Sequence, residues 1–163
     1  MAFDIQVPDV LFKTRREIDE APGFEWYDLT SEEIFANKRV VVFGLPGAFT
    51  PTCSSTHLPG YELEYEKLKD AGIDEVYCLS VNDSFTMNAW FRHHKITEIQ
   101  PIADGNADFT RLMGLLVAKR NLCFGMRSQR YSMHVVNRKI EKMFIEGPVN
   151  DNFPTDPFFV SDA

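Results

Sequence analysis

Cys53 closes the stretch Pro46-Gly47-Ala48-Phe49-Thr50-Pro51-Thr52-Cys53, and His57 follows four residues later. A cysteine acts as a nucleophile through its thiolate. The first turn of a helix favours an anion, because the backbone N–H groups there lack partners. Thr50 carries a hydroxyl three residues before the sulfur, within reach of it or of an oxygen bound to it. Pro46 and Pro51 stiffen the loop and withhold two competing N–H donors. The bland alternative is a small apolar filler of the core, a common fate of free cysteine. A polar, Pro-flanked helix start speaks against it.

Several kinds of chemistry fail on spacing. A dithiol oxidoreductase needs Cys-x-x-Cys, but positions 50 and 56 are both Thr. A cysteine phosphatase loop needs an Arg six residues on, where Pro59 stands. Gly44 and Gly47 fit neither nucleotide-binding glycine pattern. His57 would share a helix face with Cys53, so a Cys-His hydrolase dyad is conceivable. Such a rigid pair offers no obvious oxyanion hole, and His57 reads better as a hydrogen-bonding support. His93 and His94 are neighbours that point apart, without an acidic cluster beside them, so no metal site is expected.

These residues must be positioned by regular elements. Ser31–Phe35 reads as a short helix with Thr30 as its N-cap. Arg39–Leu45 (RVVVFGL) lacks alternation, as does a strand buried on both faces. A helix is expected from about Thr52 to Ala71, with Leu58, Tyr61, Tyr65 and Leu68 on its buried face, a kink at Pro59 and a stop at Gly72. Val76–Val81 reads as a second buried strand. Ser84 is a candidate cap for a helix to about His94, with Met87, Trp90 and Phe91 inside. Ile99–Ala103 is strand-like and Asn106–Met113 a short helix. Arg130–Val136 and Ile140–Ile145 read as a hairpin turning at Asn137-Arg138. The segment from Pro8 to Gly23 reads as a preamble of short extended pieces. This order gives an α/β sandwich, a mixed sheet with helices on both faces.

The 163 residues suit a single domain, 1–163, with one core. A net charge of −7 argues against nucleic acid and against anionic membrane surfaces as partners. Met1-Ala2-Phe3-Asp4-Ile5 has no leader character, and the longest strongly apolar run, Val40–Leu45, is far short of the ~20 residues a spanning helix needs. A cytoplasmic location is expected. Three cysteines, Cys53, Cys78 and Cys123, make a poor disulfide framework. In a reducing compartment a cysteine that stands out is more often catalytic than structural.

The stretch Pro46–Gly60 closely resembles the active-site loop of peroxiredoxins, whose Pro-x-x-x-Thr-x-x-Cys signature is matched by Pro46, Thr50 and Cys53. Cys78-Leu79-Ser80-Val81-Asn82-Asp83, Met87-Asn88-Ala89-Trp90 and Phe124 to Met133 also resemble the family, and point to its type-five, atypical subgroup. The likeness runs from about Phe3 to Ala163 and is similar in particular to the peroxiredoxin part of bacterial peroxiredoxin–glutaredoxin hybrids.

The resemblance implies a thioredoxin-like fold with an N-terminal extension and a thiol-dependent hydroperoxide reductase. Cys53 would be the peroxidatic thiolate, oxidised by hydrogen peroxide or an alkyl hydroperoxide to a sulfenic acid. Thr50 would bind the peroxide, Pro46 would close the pocket, and an Arg would stabilise the charge. Arg127 and Arg130 are both near in sequence, and without the resemblance neither stands out. The family's catalytic Arg opens the strand reading Arg130-Tyr131-Ser132-Met133, which selects Arg130 and leaves Arg127 as a helper or a surface charge. Phe49 and Phe124 match aromatic positions that line an organic pocket, although core packing explains them nearly as well.

No cofactor or metal is implied; a homodimer is. Relatives with a resolving cysteine carry it near the C-terminus, but no cysteine follows Cys123 here. Cys78 reads as buried and inert. A one-cysteine cycle is therefore expected, with glutathione/glutaredoxin or thioredoxin as reductant. The tail Asp156–Ala163 resembles a segment that leads into a final helix in relatives, so the C-terminus is either truncated or a natural variant. The rival reading is a peroxide-sensing thiol switch that acts through protein partners.

Overall fold

A computed structural model of the chain describes residues 4–19, 23–147, 150–154 and 157–163. Met1–Phe3, on which part of the leader reading rests, lies outside them, as do residues 20–22 of the preamble and Asp156 of the tail.

Five strands form the central sheet in the order β5-β4-β3-β8-β9. They are β3 (Arg39–Leu45), β4 (Glu75–Ser80), β5 (Gln100–Ala103), β8 (Tyr131–Val136) and β9 (Lys139–Ile145). β3 runs parallel to β4, and β4 to β5, whereas β8 pairs antiparallel with both β3 and β9. The sheet is therefore mixed, as the sequence predicts. Six of the seven residues of β3 are buried, in keeping with its unbroken apolar run.

The alternation of β3 divides the core in two. Val41, Phe43 and Leu45 pack with Leu58 and Tyr61 of α2 (Leu58–Asp70) and with Met87, Trp90 and Phe91 of α3 (Ser84–His93). Val40 and Val42 face the other way, toward Ile34 and Phe35 of α1 (Ser31–Phe35) and Phe109 of α4 (Asp108–Leu112). Helices thus cover both faces, and each face buries its own apolar layer.

Most predicted elements appear, with informative shifts. Thr30 caps α1 by accepting from the Glu33 N–H at 3.2 Å. The cap of α3 is Asp83, which accepts from Thr86 N at 2.8 Å; Ser84 is instead the first helical residue. The Ser84 hydroxyl accepts from Arg15 N at 2.8 Å, an interaction across 69 residues that local sequence cannot reveal. α4 is shorter than predicted because Ala107 enters it at φ 59°. Within the preamble, β1 (Leu11–Glu17) is a regular strand that pairs antiparallel with β2 (Phe24–Thr30). The short pair β6 (Leu116–Ala118) and β7 (Met126–Ser128) is an element the sequence reading lacks.

The turn at Asn137-Arg138 has both residues at positive φ, 44° and 71°, the geometry of a tight two-residue hairpin. Gly44 is required by close approach. A Cβ there would lie 2.1 Å from Cε1 of Tyr131, whose ring is fully buried and cannot retreat.

Among the described residues the buried Tyr131 hydroxyl has no hydrogen-bond partner. A buried donor left unpaired costs ~1–3 kcal/mol. Tyr131→Phe keeps the ring against Gly44 and removes that cost. We expect it to raise the urea-unfolding free energy by about 1 kcal/mol; a loss of stability would show that the hydroxyl is satisfied.

Candidate active site

The loop after β3 delivers Cys53 to the end of the sheet. Pro51 and Thr52 already have helical conformation, and Ser54 N donates to Thr50 O at 2.9 Å, so Cys53 sits in the first helical turn. The loop is tied internally: the Thr50 hydroxyl donates to Gly47 O at 2.6 Å, and Ala48 N donates to Asn82 Oδ1 at 3.0 Å. Phe49 takes a left-handed φ of 63° and is about half exposed, with its ring 6.0 Å from that of His93.

The helix expected from Thr52 does not simply kink at Pro59. Residues Cys53–His57 form a π-helical turn, closed by Leu58 N donating to Cys53 O, and α2 follows with Pro59 in its first turn. Pro59 has no N–H for the Ser55 carbonyl, which removes one α-type bond and leaves room for the wider turn. Trp90 of α3 braces this turn through an Nε1–H bond to Ser54 Oγ at 2.9 Å.

Cys53 is fully buried, yet its surroundings are not simply apolar. Arg130, immediately before β8 and itself 2% exposed, donates from Nη2 to Cys53 Sγ at 3.1 Å. Its Nη1 lies 2.9 Å from His57 Nδ1. Guanidinium has only donors to offer, so Nδ1 must accept. The proton is then on Nε2, which donates to the Ser161 carbonyl at 3.1 Å. That carbonyl also accepts from Tyr61 OH at 2.9 Å.

With both ring nitrogens committed, His57 has none left to take a proton from the thiol. This removes the Cys-His hydrolase alternative and makes His57 a support for Arg130. The Phe158 ring completes the surround, 4.8 Å from the His57 ring and 5.7 Å from Arg130 Cζ.

Arg127 is half-buried against the loop that leads to Cys53. It donates from Nη1 to Pro46 O at 3.3 Å and from Nε to Phe124 O at 3.1 Å, with its charge 5.2 Å from the Phe124 ring centroid. It therefore fastens the Pro46 turn to the Phe124 loop and is not a solvated charge. Gly47 lies beneath it; a Cβ there would be 2.8 Å from Arg127 Nη1.

Cys78 lies in β4 opposite Phe43 and is fully buried. Burial, and after it the nearby Cys53 charge, push its thiol well above the ordinary range. Cys123 is exposed at φ 58°, after the 3-10 turn Arg120–Leu122.

A cleft of about 350 Å³ between the β1–β2 hairpin and α3 is lined by Phe12, Trp26, Asp83, Phe85 and Asp104 among others, and no cysteine borders it. That cleft offers no thiol, whereas Cys53 has a guanidinium on its sulfur.

Sequence reasoning missed Glu146, Ser161, Tyr61 as a hydrogen-bond donor, and the Trp90–Ser54 brace. Glu146 is 2% exposed and accepts at Oε1 from the N–H groups of Phe159, Val160 and Ser161. Burial alone would raise its carboxyl, but those N–H groups outweigh it and hold it below the usual carboxylate value. Glu146 follows a strand that already carries Lys139, Glu141 and Lys142, so nothing local marks it out.

Burial first, and the Arg130 charge second, push the His57 pKa down to about 3 from an ordinary 6.5. Between those values the unfolded chain binds a proton that the folded chain does not. Stability from His57 is complete above pH 6.5 and is lost as pH falls through that window. From pH 6.5 to 5 the loss is about 2 kcal/mol, at ~1.4 kcal/mol per pH unit. In urea unfolding, His57→Asn should be less sensitive to that pH change by about this amount; an unchanged pH slope would contradict a neutral, buried His57.

Comparison with known proteins agrees with this geometry. The Redoxin family matches residues 22–156. Peroxiredoxin sll1621 of Synechocystis is 54% identical over 161 residues, which cover 97% of this chain and 85% of that protein. Hybrid peroxiredoxin hyPrx5 of Haemophilus influenzae is 52% identical over 97% of this chain, which spans 61% of the hybrid's length. The crystal structure of the Plasmodium falciparum antioxidant protein, a 1-Cys peroxiredoxin, superposes with a TM-score of 0.92 at 36% identity, covering 98% of this chain and 94% of that one. With a thioredoxin-like mixed sheet, a buried cysteine in the first helical turn and a guanidinium on its sulfur, the chain belongs to the peroxiredoxins, the thiol peroxidases of the Redoxin family.

Proposed function

We propose that Cys53 is the peroxidatic residue, reducing hydrogen peroxide and alkyl hydroperoxides in a one-cysteine cycle. The observation that carries this reading is the Arg130 Nη2 contact to Cys53 Sγ at 3.1 Å inside a closed site. The thiolate attacks the terminal peroxide oxygen; an S–O bond forms as the O–O bond breaks. The departing alkoxide or hydroxide takes a proton and leaves as alcohol or water, and Cys53 is left as a sulfenic acid. Arg130 stabilises both the thiolate and the charge developing on the oxygens.

The Thr50 hydroxyl sits in the same tight turn as the nucleophile and serves as the peroxide's hydrogen-bonding group. Pro46, held through its carbonyl by Arg127, walls the pocket. Phe49 and Phe124 offer apolar contact to an organic substituent. Because the sulfur is fully covered, a small peroxide enters at the least displacement of this loop.

Return to the thiol falls to an external reductant, a glutathione/glutaredoxin or thioredoxin system. One thiol condenses with the sulfenic acid to release water, and a second thiol reduces the mixed disulfide. Two features support this: the Cys78 thiol is held protonated in the interior, and Cys123 is on a surface turn. The protein acts as a cytoplasmic homodimer.

In coupled assays, Cys53→Ser should abolish peroxide consumption while the fold persists, and retained turnover would refute the assignment. Arg130→Ala should lower kcat/KM by about 100-fold or more, in line with losing a charged donor worth ~3 kcal/mol. A larger effect from Arg127→Ala would transfer the role to that residue. Cys78→Ser and Cys123→Ser should each keep steady turnover with the external reductant; loss in either would mean internal resolution. A single stoichiometric burst in the wild type would favour the thiol-switch reading.

A further inference from the structure

Glu146 follows the last residue of β9 and is the buried carboxylate nearest in sequence to the end of the described chain. Its backbone N–H donates to Arg130 O at 2.9 Å, so it is the cross-strand neighbour of the arginine that touches Cys53. Its Oε1 gathers four donors: Phe159 N at 2.6 Å, Val160 N at 2.6 Å, Ser161 N at 2.9 Å and Ser161 Oγ at 2.9 Å. Phe159 and Val160 are exposed, so their own side chains do little to hold this stretch in place. The Phe158 ring against His57 and the Tyr61 OH bond to the Ser161 carbonyl also hold it, but the carboxylate takes the N–H groups of all three residues 159–161, through charge-assisted bonds.

The anchored segment reaches the site from the other side. The Ser161 carbonyl receives the His57 Nε2–H, which fixes the tautomer and turns the Nδ1 lone pair toward Arg130. Arg130 then presents Nη2 to Cys53. If the carbonyl moves away, the imidazole is free to flip or change tautomer. An Nδ1–H facing the guanidinium would set donor against donor and push Arg130 off the sulfur.

We propose that Glu146 is a positioning residue for the reactive cysteine: by pinning residues 159–161 it holds the Ser161 carbonyl on His57, and through His57 it keeps Arg130 on Cys53. Glu146 touches neither substrate nor sulfur. The inference rests on Cys53 being the reactive thiol, as proposed above.

The test uses the full chain and two readouts: the pH profile of Cys53 alkylation by iodoacetamide, and kcat/KM for hydrogen peroxide. Glu146→Ala should slow alkylation about tenfold at pH 7, with the rate approaching wild type in strong base, and lower kcat/KM by a similar factor, as expected when one charge-assisted contact is loosened. Glu146→Gln keeps an acceptor oxygen but not the charge. It should move both readouts the same way by about threefold, and it decides the matter if the alanine variant does not fold.

Hydrogen exchange of the amides at 159–161 reports whether the segment has been released. A released segment with a wild-type alkylation profile would overturn the proposal, because Glu146 would then only tether the chain. The alkylation readout needs no turnover. A wild-type protein that alkylates at Cys53 but consumes no peroxide would count against the peroxidase reading and leave this proposal standing.

Discussion

The contact between the Arg130 guanidinium and the Cys53 sulfur is the constraint around which the rest is arranged. Both groups are removed from water, and a charge in that position is tolerable only if paired and hydrogen-bonded. The sheet supplies the pairing. β3 runs antiparallel to β8, so the loop leaving β3 and the residue entering β8 meet at the same end. Gly44 lets Tyr131 lie flat across β3 at that point. The guanidinium is then shared between the sulfur and a neutral imidazole whose other nitrogen is already occupied. The π turn at Cys53–His57 serves the same end, holding the sulfur and the imidazole where one guanidinium reaches both.

The two arginines divide the work. Arg130, just before β8, bonds the sulfur itself. Arg127, in β7, joins the Pro46 turn to the Phe124 loop. A thiolate at Cys53 would favour the charged form of Arg127 as well, but the hydrogen bonds of Arg127 go to carbonyls and not to the sulfur. The β6–β7 pair carries Arg127 to that position, so this small element has a role at the site although it contributes little to the main core.

Legibility in the sequence followed the range of the interactions. β3, α1 with its Thr30 cap and the Asn137-Arg138 turn depend on nearest neighbours and a local apolar pattern, and all three were readable. The cap of α3 was misplaced by one residue because Ser84 is drawn into a bond with Arg15 far away in the chain. The wide turn before Pro59 was expected as a kink: the missing N–H was visible, but the chain's response to it was not. At the site, Pro46, Thr50 and Cys53 lie within eight residues and form a legible unit. Arg130 is 77 residues from the cysteine, and only family resemblance singled it out. Glu146 and Ser161 carried no local signal, since their importance comes from where the final segment folds back.

The central claim, that the thiol held by Arg130 is the one that meets peroxide, is tested most directly by trapping the oxidised sulfur. The wild-type protein is treated with one equivalent of hydrogen peroxide in the presence of dimedone, and the adduct is located by peptide mass spectrometry. The account predicts a dimedone adduct on the Cys53 peptide, with Cys78 and Cys123 unmodified. An adduct on Cys123, or peroxide consumed with Cys53 still a free thiol, would contradict it.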